Sequence, residues 1–144
     1  MKMVGYTDDW NYLALCEPPI SGTKAQKITF QMNNLSCYIT LGVSIKSKVE
    51  GNYQIITDNT GHGCYHMSYD GYSWSDSDSS VNNQYASWYF NQGDKVTVEV
   101  NPKEKKIMFI KNGAVESGFS MGYEIDKKEK LYFSVSFNSE PEEV

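Results

Sequence analysis

Arginine is absent from this 144-residue chain; lysine alone supplies the 13 basic residues, against 18 Asp and Glu, for a formal net charge of −5. Without guanidinium groups the chain lacks the side chain best suited to two-pronged recognition of phosphate and guanine, so a nucleic-acid partner is not expected. Nor do the lysines build a positive field: Lys103, Lys105 and Lys106 surround Glu104, and Lys127, Lys128 and Lys130 surround Glu129, as in solvated turns. Cysteine is scarce. Cys16, Cys37 and Cys64 are odd in number and widely spaced, which gives neither a disulfide framework nor a Cys-x-x-Cys pair and implies a reducing compartment. No apolar run approaches the ~18 residues that argue for a membrane span, and MKMVGYTDDW has no leader-like apolar core. The expectation is an intracellular, cytoplasmic protein without membrane association, monomeric in isolation, and long enough for one domain with its own core.

What is present reads as strands. KVTVEV (95–100) sets Val96, Val98 and Val100 against Lys95, Thr97 and Glu99, the period-two pattern of a half-buried strand. KIMFIK (106–111) follows after the polar link NPKEK, as in a hairpin, and Asn112-Gly113 then supplies residues that tolerate positive φ in a turn. A third member of this meander is expected over 114–119. Upstream, KITFQM (27–32) and CYITLGVSI (37–45) flank the turn signal Asn33-Asn34; downstream, LYFSVSF (131–137) places Leu131, Phe133, Val135 and Phe137 on one apolar face. Eleven tyrosines suit pleated, half-buried surfaces. The fold class expected is all-β, a sandwich of two antiparallel sheets. Residues 51–60 and 75–84 read as loops, the second a Ser/Asp/Asn run, and 1–10 as an N-terminal extension or linker to a domain over 11–144.

Both histidines and one cysteine fall in GHGCYHMSYDGYSW (61–74). In a strand over 62–69, His62, Cys64, His66 and Ser68 share a face, and Gly63, Tyr65, Met67 and Tyr69 share the other. A metal site is disfavoured, because at ~3.3 Å per residue the two histidine Cα atoms stand about 13 Å apart and tetrahedral geometry does not span that. A cysteine nucleophile would need a base oriented by a third group. The expected setting is two histidines at or near a sheet surface with Cys64 packed between, and no cofactor. Asp76-x-Asp78-x-Ser80 begins like a calcium loop, but Val81 and Ser87 stand where such a loop needs Gly and Glu. No catalytic constellation is legible.

The order of landmarks from Tyr38 onward resembles the SPRY domain, the core of the B30.2 family. YITLGVSI is similar to its strand ending in Gly-Val, and GHGCYHMSYDGYSW to its Gly-rich, Ser-Tyr, Asp-Gly stretch. YASWYFNQGDKVTVEVNPKEKKIMFIKNG (85–113) resembles its block of aromatic, Gly-Asp turn, alternating strand, polar hairpin and apolar strand; LYFSVSFNSEPEEV resembles its Val-Ser strand. CEPPISG (16–22) is similar to its proline-containing loop. Two departures stand out: Ser87-Trp88-Tyr89 occupies the place of a second Gly-rich aromatic motif, and the strand that usually follows the Val-Ser block is cut short at Val144. The resemblance implies a bent sandwich and a non-catalytic module that binds short peptides or folded partners through loops at one end.

Interface anchors are disproportionately Trp and Tyr. Tyr72 and Trp74 border the Ser/Asp/Asn loop, Tyr85 closes it, and Tyr53 lies in the other loop; Asp76, Asp78, Asn82 and Asn83 offer hydrogen-bonding groups to an extended peptide. The acidic loop favours a basic peptide or protein partner. Trp74 is equally consistent with core, Trp88 and Phe90 read as core in a strand before Gly93-Asp94, and Trp10 as a cap or linker residue. Two other functions fit the same residues: an architectural docking subunit of a larger assembly, and a carbohydrate-binding sandwich using exposed Trp faces.

Overall fold

The computed structural model describes residues 2–7, 11–50 and 59–138. Four strands, β3 (Gln26–Gln31), β8 (Lys95–Asn101), β9 (Lys106–Lys111) and β10 (Phe119–Gly122), form an antiparallel sheet in the order β10-β9-β8-β3. Seven others form the second sheet: β1 (Lys2–Thr7), β2 (Asn11–Ile20), β4 (Tyr38–Ile45), β5 (Cys64–Ser68), β6 (Tyr72–Ser75), β7 (Gln84–Tyr85) and β11 (Leu131–Asn138), ordered β1-β2-β11-β4-β5-β6-β7. The all-β sandwich expected from the periodicity is the fold observed.

The core lies between the sheets. Val96, Val98 and Val100 are fully buried while Lys95 is exposed, so the alternation of β8 reads out directly as an inner and an outer face. They meet Leu41, Val43, Ile45, Tyr65, Met67 and Val135 of the wider sheet in one apolar cluster. Burying each such aliphatic side chain contributes about 1.5–3 kcal/mol.

The wider sheet departs from simple alternation. Every residue from Ile39 to Ile45 and from Leu131 to Ser136 is buried, including Thr40, Ser44, Ser134 and Ser136 on the side away from the core. That side carries a second apolar cluster of Leu13, Leu15, Cys64, Tyr132 and Val49, the last supplied by the short helix α1 (Lys46–Val49). A sheet covered on both faces buries its polar positions as well as its apolar ones.

Several expectations are corrected. Residues 2–7, read as an extension or linker, form edge strand β1 and pair with β2 from Lys2↔Glu17 to Thr7↔Tyr12. The proline segment of CEPPI ends a strand: between Cys16↔Phe133 and Ile20↔Leu131, β2 has three residues against the single Tyr132, and Pro18 and Pro19 occupy that bulge, where no ladder N–H is required. The Asn33-Asn34 connection crosses from one sheet to the other, because β3 pairs only with β8 and β4 with β11 and β5. The third meander strand begins at Phe119, since Val115–Ser117 form a 3₁₀ turn. Trp88 and Phe90 are core, as read, but in irregular backbone with Ser87 at φ 59°. Trp10 and Tyr53 lie outside the described residues.

Candidate binding surface

Strands β5 and β6 carry the histidine-cysteine stretch, and its setting is interior. His66 has no exposed surface and His62 is 4% exposed, which overturns the reading of two histidines near a sheet surface. Strand β5 begins only at Cys64, so the alternation holds for Cys64 and His66, while His62, expected in the same strand, lies before it in a bend next to Gly63 at φ 88°; Cys64 packs with Leu13, Leu15 and Val49, distant in sequence. His66 Nδ1 bonds Thr40 Oγ1 at 2.7 Å, and Nε2 bonds Ser134 Oγ at 2.7 Å and Ser44 Oγ at 3.2 Å. Ser44 also meets Ser134 at 2.7 Å and Cys64 Sγ at 3.3 Å. A histidine beside serine hydroxyls has the parts of an activated nucleophile, but His66, Ser44 and Ser134 have no exposed surface for a substrate to reach, and burial pushes the His66 pKa down to about 3, with a smaller contribution from His62, which makes it a weak base. Burial likewise pushes the Cys64 thiol up to about 12, so it is not a thiolate. Among the described residues no group of three or more His, Cys, Asp or Glu is placed to hold a metal ion, and no helix is long and apolar enough to cross a membrane.

His62 is the hinge-post of the adjoining loop. Its Nδ1 accepts from the Cys64 N–H at 3.1 Å, so its Nε2 carries the proton and donates to Asn82 Oδ1 at 3.1 Å. Burial holds the pKa below the ordinary value, consistent with that neutral tautomer. Asn82, 2% exposed, also accepts from Ser75 N at 2.9 Å and donates to Ser75 O at 3.0 Å. Asp76, 6% exposed, accepts from Gly63 N at 2.6 Å and pairs with Lys48 Nζ at 2.5 Å. Asn82 and Asp76 therefore spend their polar groups on the loop that they hold.

Trp74 is 1% exposed and packs edge-on to Tyr38 with ring centroids 6.4 Å apart, so of the two settings open to it, core is the one observed. It stands opposite His66 in the β5–β6 register. The remaining candidates reach solvent. Asp78 is exposed and caps the 3₁₀ turn Ser79–Val81 through Ser80 N at 2.9 Å, and its hydrogen bonds from Ser80 hold the carboxyl below its usual range. Asn83 is exposed at φ 54°, a conformation that Asn tolerates. Tyr85 is 59% exposed and lies against half-buried Tyr72 at 5.7 Å; Gly71 makes room, because a Cβ there would stand 2.8 Å from the Tyr85 ring.

The eight predicted residues thus separate. Tyr72 and Tyr85 share a face of β6–β7, with Asn83 in the preceding turn; Asp78 lies across the loop; Trp74, Asp76 and Asn82 are frame; Tyr53 is outside the described residues.

Beside Asp78 opens a groove of about 410 Å³ whose walls are Ser75, Ser77, Asp78 and Val81 on one side and Phe119–Glu124 on the other. Through Ser77, Lys105, Tyr123 and Glu124 it continues into a shallower basin of about 900 Å³ that adds Asp126 and Glu129. Five carboxylates, at 76, 78, 124, 126 and 129, face two lysines, Lys48 and Lys105, across the combined surface. The β10 wall was invisible in sequence, where Glu129 alone was noticed, among the lysines of a solvated turn. A separate apolar cleft of about 400 Å³ is lined by residues including Phe30, Met32, Ile39 and Phe137.

No family model matches the chain, and no curated protein matches it. Among solved structures, the SPRY domain of human HERC1 superposes with a TM-score of 0.68 at 19% identity, over 96% of this chain and 82% of that one. The fold is SPRY-like. The SPRY-like sandwich expected from the order of the sequence landmarks is therefore the architecture found, with β4 carrying the Gly-Val strand and β8–β9 the alternating hairpin.

Proposed function

We propose that this SPRY-like chain is a non-catalytic protein-interaction module that recognises a short basic peptide segment at the groove between β10 and the 76–83 loop. The observation that carries the reading is the groove itself, open, peptide-sized and lined by carboxylates in excess of lysines. Such a surface attracts Lys- and Arg-bearing segments and rejects acidic ones. Asp78 supplies charge at the rim, Tyr85 with Tyr72 offers an aromatic contact on the far side of the loop, and Asn83 an exposed amide. Beneath them Asp76 and Asn82 fix the loop, which lowers the entropy lost on binding.

The alternatives fare less well on particular residues. A sugar site of the kind considered would need an exposed indole, and the two tryptophans among the described residues, Trp74 and Trp88, are 1% and 8% exposed. An architectural subunit would present a broad apolar face; among the described residues the exposed large apolar side chains are Tyr12, Tyr85, Tyr89 and Val115, three of them tyrosines with a polar hydroxyl.

Selection of a displayed library of short disordered-region peptides tests the reading, with Asp78→Lys/Glu124→Lys and Tyr85→Ala variants as counter-screens. The expected result is a recurring Lys/Arg-containing motif lost by the charge-reversed variant at an unchanged melting temperature. Failure to enrich any motif, or a motif retained by both folded variants, overturns it.

A further inference from the structure

The backbone of β10 is half used. The hydrogen bond from Tyr123 N to Lys105 O, 3.1 Å, fixes the phase of the β9–β10 ladder: Tyr123, Met121 and Phe119 turn their amides and carbonyls toward β9, while Glu124, Gly122 and Ser120 turn theirs away. At Glu124 the outward groups are satisfied by one side chain. Tyr65 Oη donates to Glu124 O at 2.7 Å and accepts from Glu124 N at 3.1 Å, standing where a further strand would otherwise pair. At Gly122 and Ser120, both exposed, the outward N–H and C=O have no partner among the described residues and border the groove.

We propose that the groove takes its ligand by strand addition: an extended basic peptide pairs with the outward backbone of Ser120 and Gly122, while Asp78 and Glu124 receive its cationic side chains. This rests on the interaction-module reading above and specifies its mode. Main-chain pairing supplies affinity, and alternate side chains supply selectivity. The two outward residues are separated by about 7 Å, so a segment of about five residues covers them. Gly122 adds no side chain to obstruct the approaching strand, and Tyr65 sets one limit of the paired length. The brevity of β10, four residues, also keeps this edge from being a general template for aggregation. With Asp76 and Lys48 paired to each other, the choice of a cationic occupant follows from Asp78, Glu124, Asp126 and Glu129 set against Lys105 around the groove and its basin.

The test is an NMR titration of the isotopically labelled chain with a capped octapeptide alternating Lys and Thr, and with its Glu–Thr counterpart. The amide protons of Ser120 and Gly122 should move downfield and saturate with the lysine peptide only. Two further versions of that peptide, N-methylated at every Lys or at every Thr, should separate: one phase loses at least tenfold in affinity and the other stays within about twofold. Ser120→Pro deletes one outward donor without touching the β9 ladder, a substitution that edge strands accept, and should weaken binding at least fivefold. If that variant does not fold, the two methylated peptides decide the matter. Unmoved Ser120 and Gly122 amides, equal binding of the two methylated peptides, or a folded Ser120→Pro with full affinity overturns strand addition. A library-selected peptide that binds while leaving these amides still overturns strand addition alone and leaves the module reading standing; a library that enriches nothing overturns the module reading, and the Lys–Thr titration still decides the edge.

Discussion

Burial holds His66 neutral: its pKa falls from the ordinary 6.5 to about 3, with the His62 charge a smaller contribution in the same direction. Between those values the unfolded chain binds a proton that the folded chain excludes. The stability owed to the neutral ring is therefore complete above pH 6.5 and is lost as pH falls toward 3. His62, also lowered by burial, adds to the same trend. The melting temperature should decline from pH 6.5 to pH 4.5, and His66→Gln should flatten that decline while melting lower at neutral pH, where it disturbs the bonds to Thr40 and Ser134. Thermal melts across the window check this, and a wild-type profile that is flat there would contradict the buried setting. The shared face of Cys64 and His66 was legible from period two alone, whereas His62 falls outside the strand, before the turn of Gly63. Their burial was not, because it depends on Leu13, Leu15 and Val49 arriving from elsewhere.

At the scale of the elements, β4 and β5 approach closely enough to require a glycine. A Cβ at Gly42 would stand 1.9 Å from Tyr65 O and 2.9 Å from His66 Cδ2, so the strand backbone itself would have to move. Gly42→Ala should cost at least ~1–3 kcal/mol, read from the denaturation midpoint; a wild-type midpoint would show that β4 and β5 are not so tightly paired. Strand legibility followed local pattern. β8 is half-buried, so its valines announced it; β11 is covered on both sides, so Ser134 and Ser136, opposite its apolar face, are interior as well. The start of β10 was displaced because the 3₁₀ turn Val115–Ser117 takes up residues that the meander pattern assigned to a strand. The same displacement hid the groove wall, which exists only once Phe119–Glu124 passes the 76–83 loop.

For the whole molecule, the net charge of −5 is unevenly used. Carboxylates from the loop after β6 and from the segment after β10 are far apart in the chain and meet only in the fold, so the sequence, which tied a basic partner to the acidic loop, held only one half of the proposed surface. The loop half of the surface, Asp78 above all, was visible as a Ser/Asp/Asn run, while the strand half was not. Tyr72 and Tyr85, grouped with Asp78 in sequence, stand across the loop from the groove. The most direct test of the groove as the binding surface is hydrogen–deuterium exchange with and without a library-selected peptide. The account predicts slowed exchange in both walls together, 76–83 and 119–124, with 30–34 beside the apolar cleft unchanged. Protection confined to 30–34, or to any surface that leaves 119–124 exchanging as in the free protein, would contradict it.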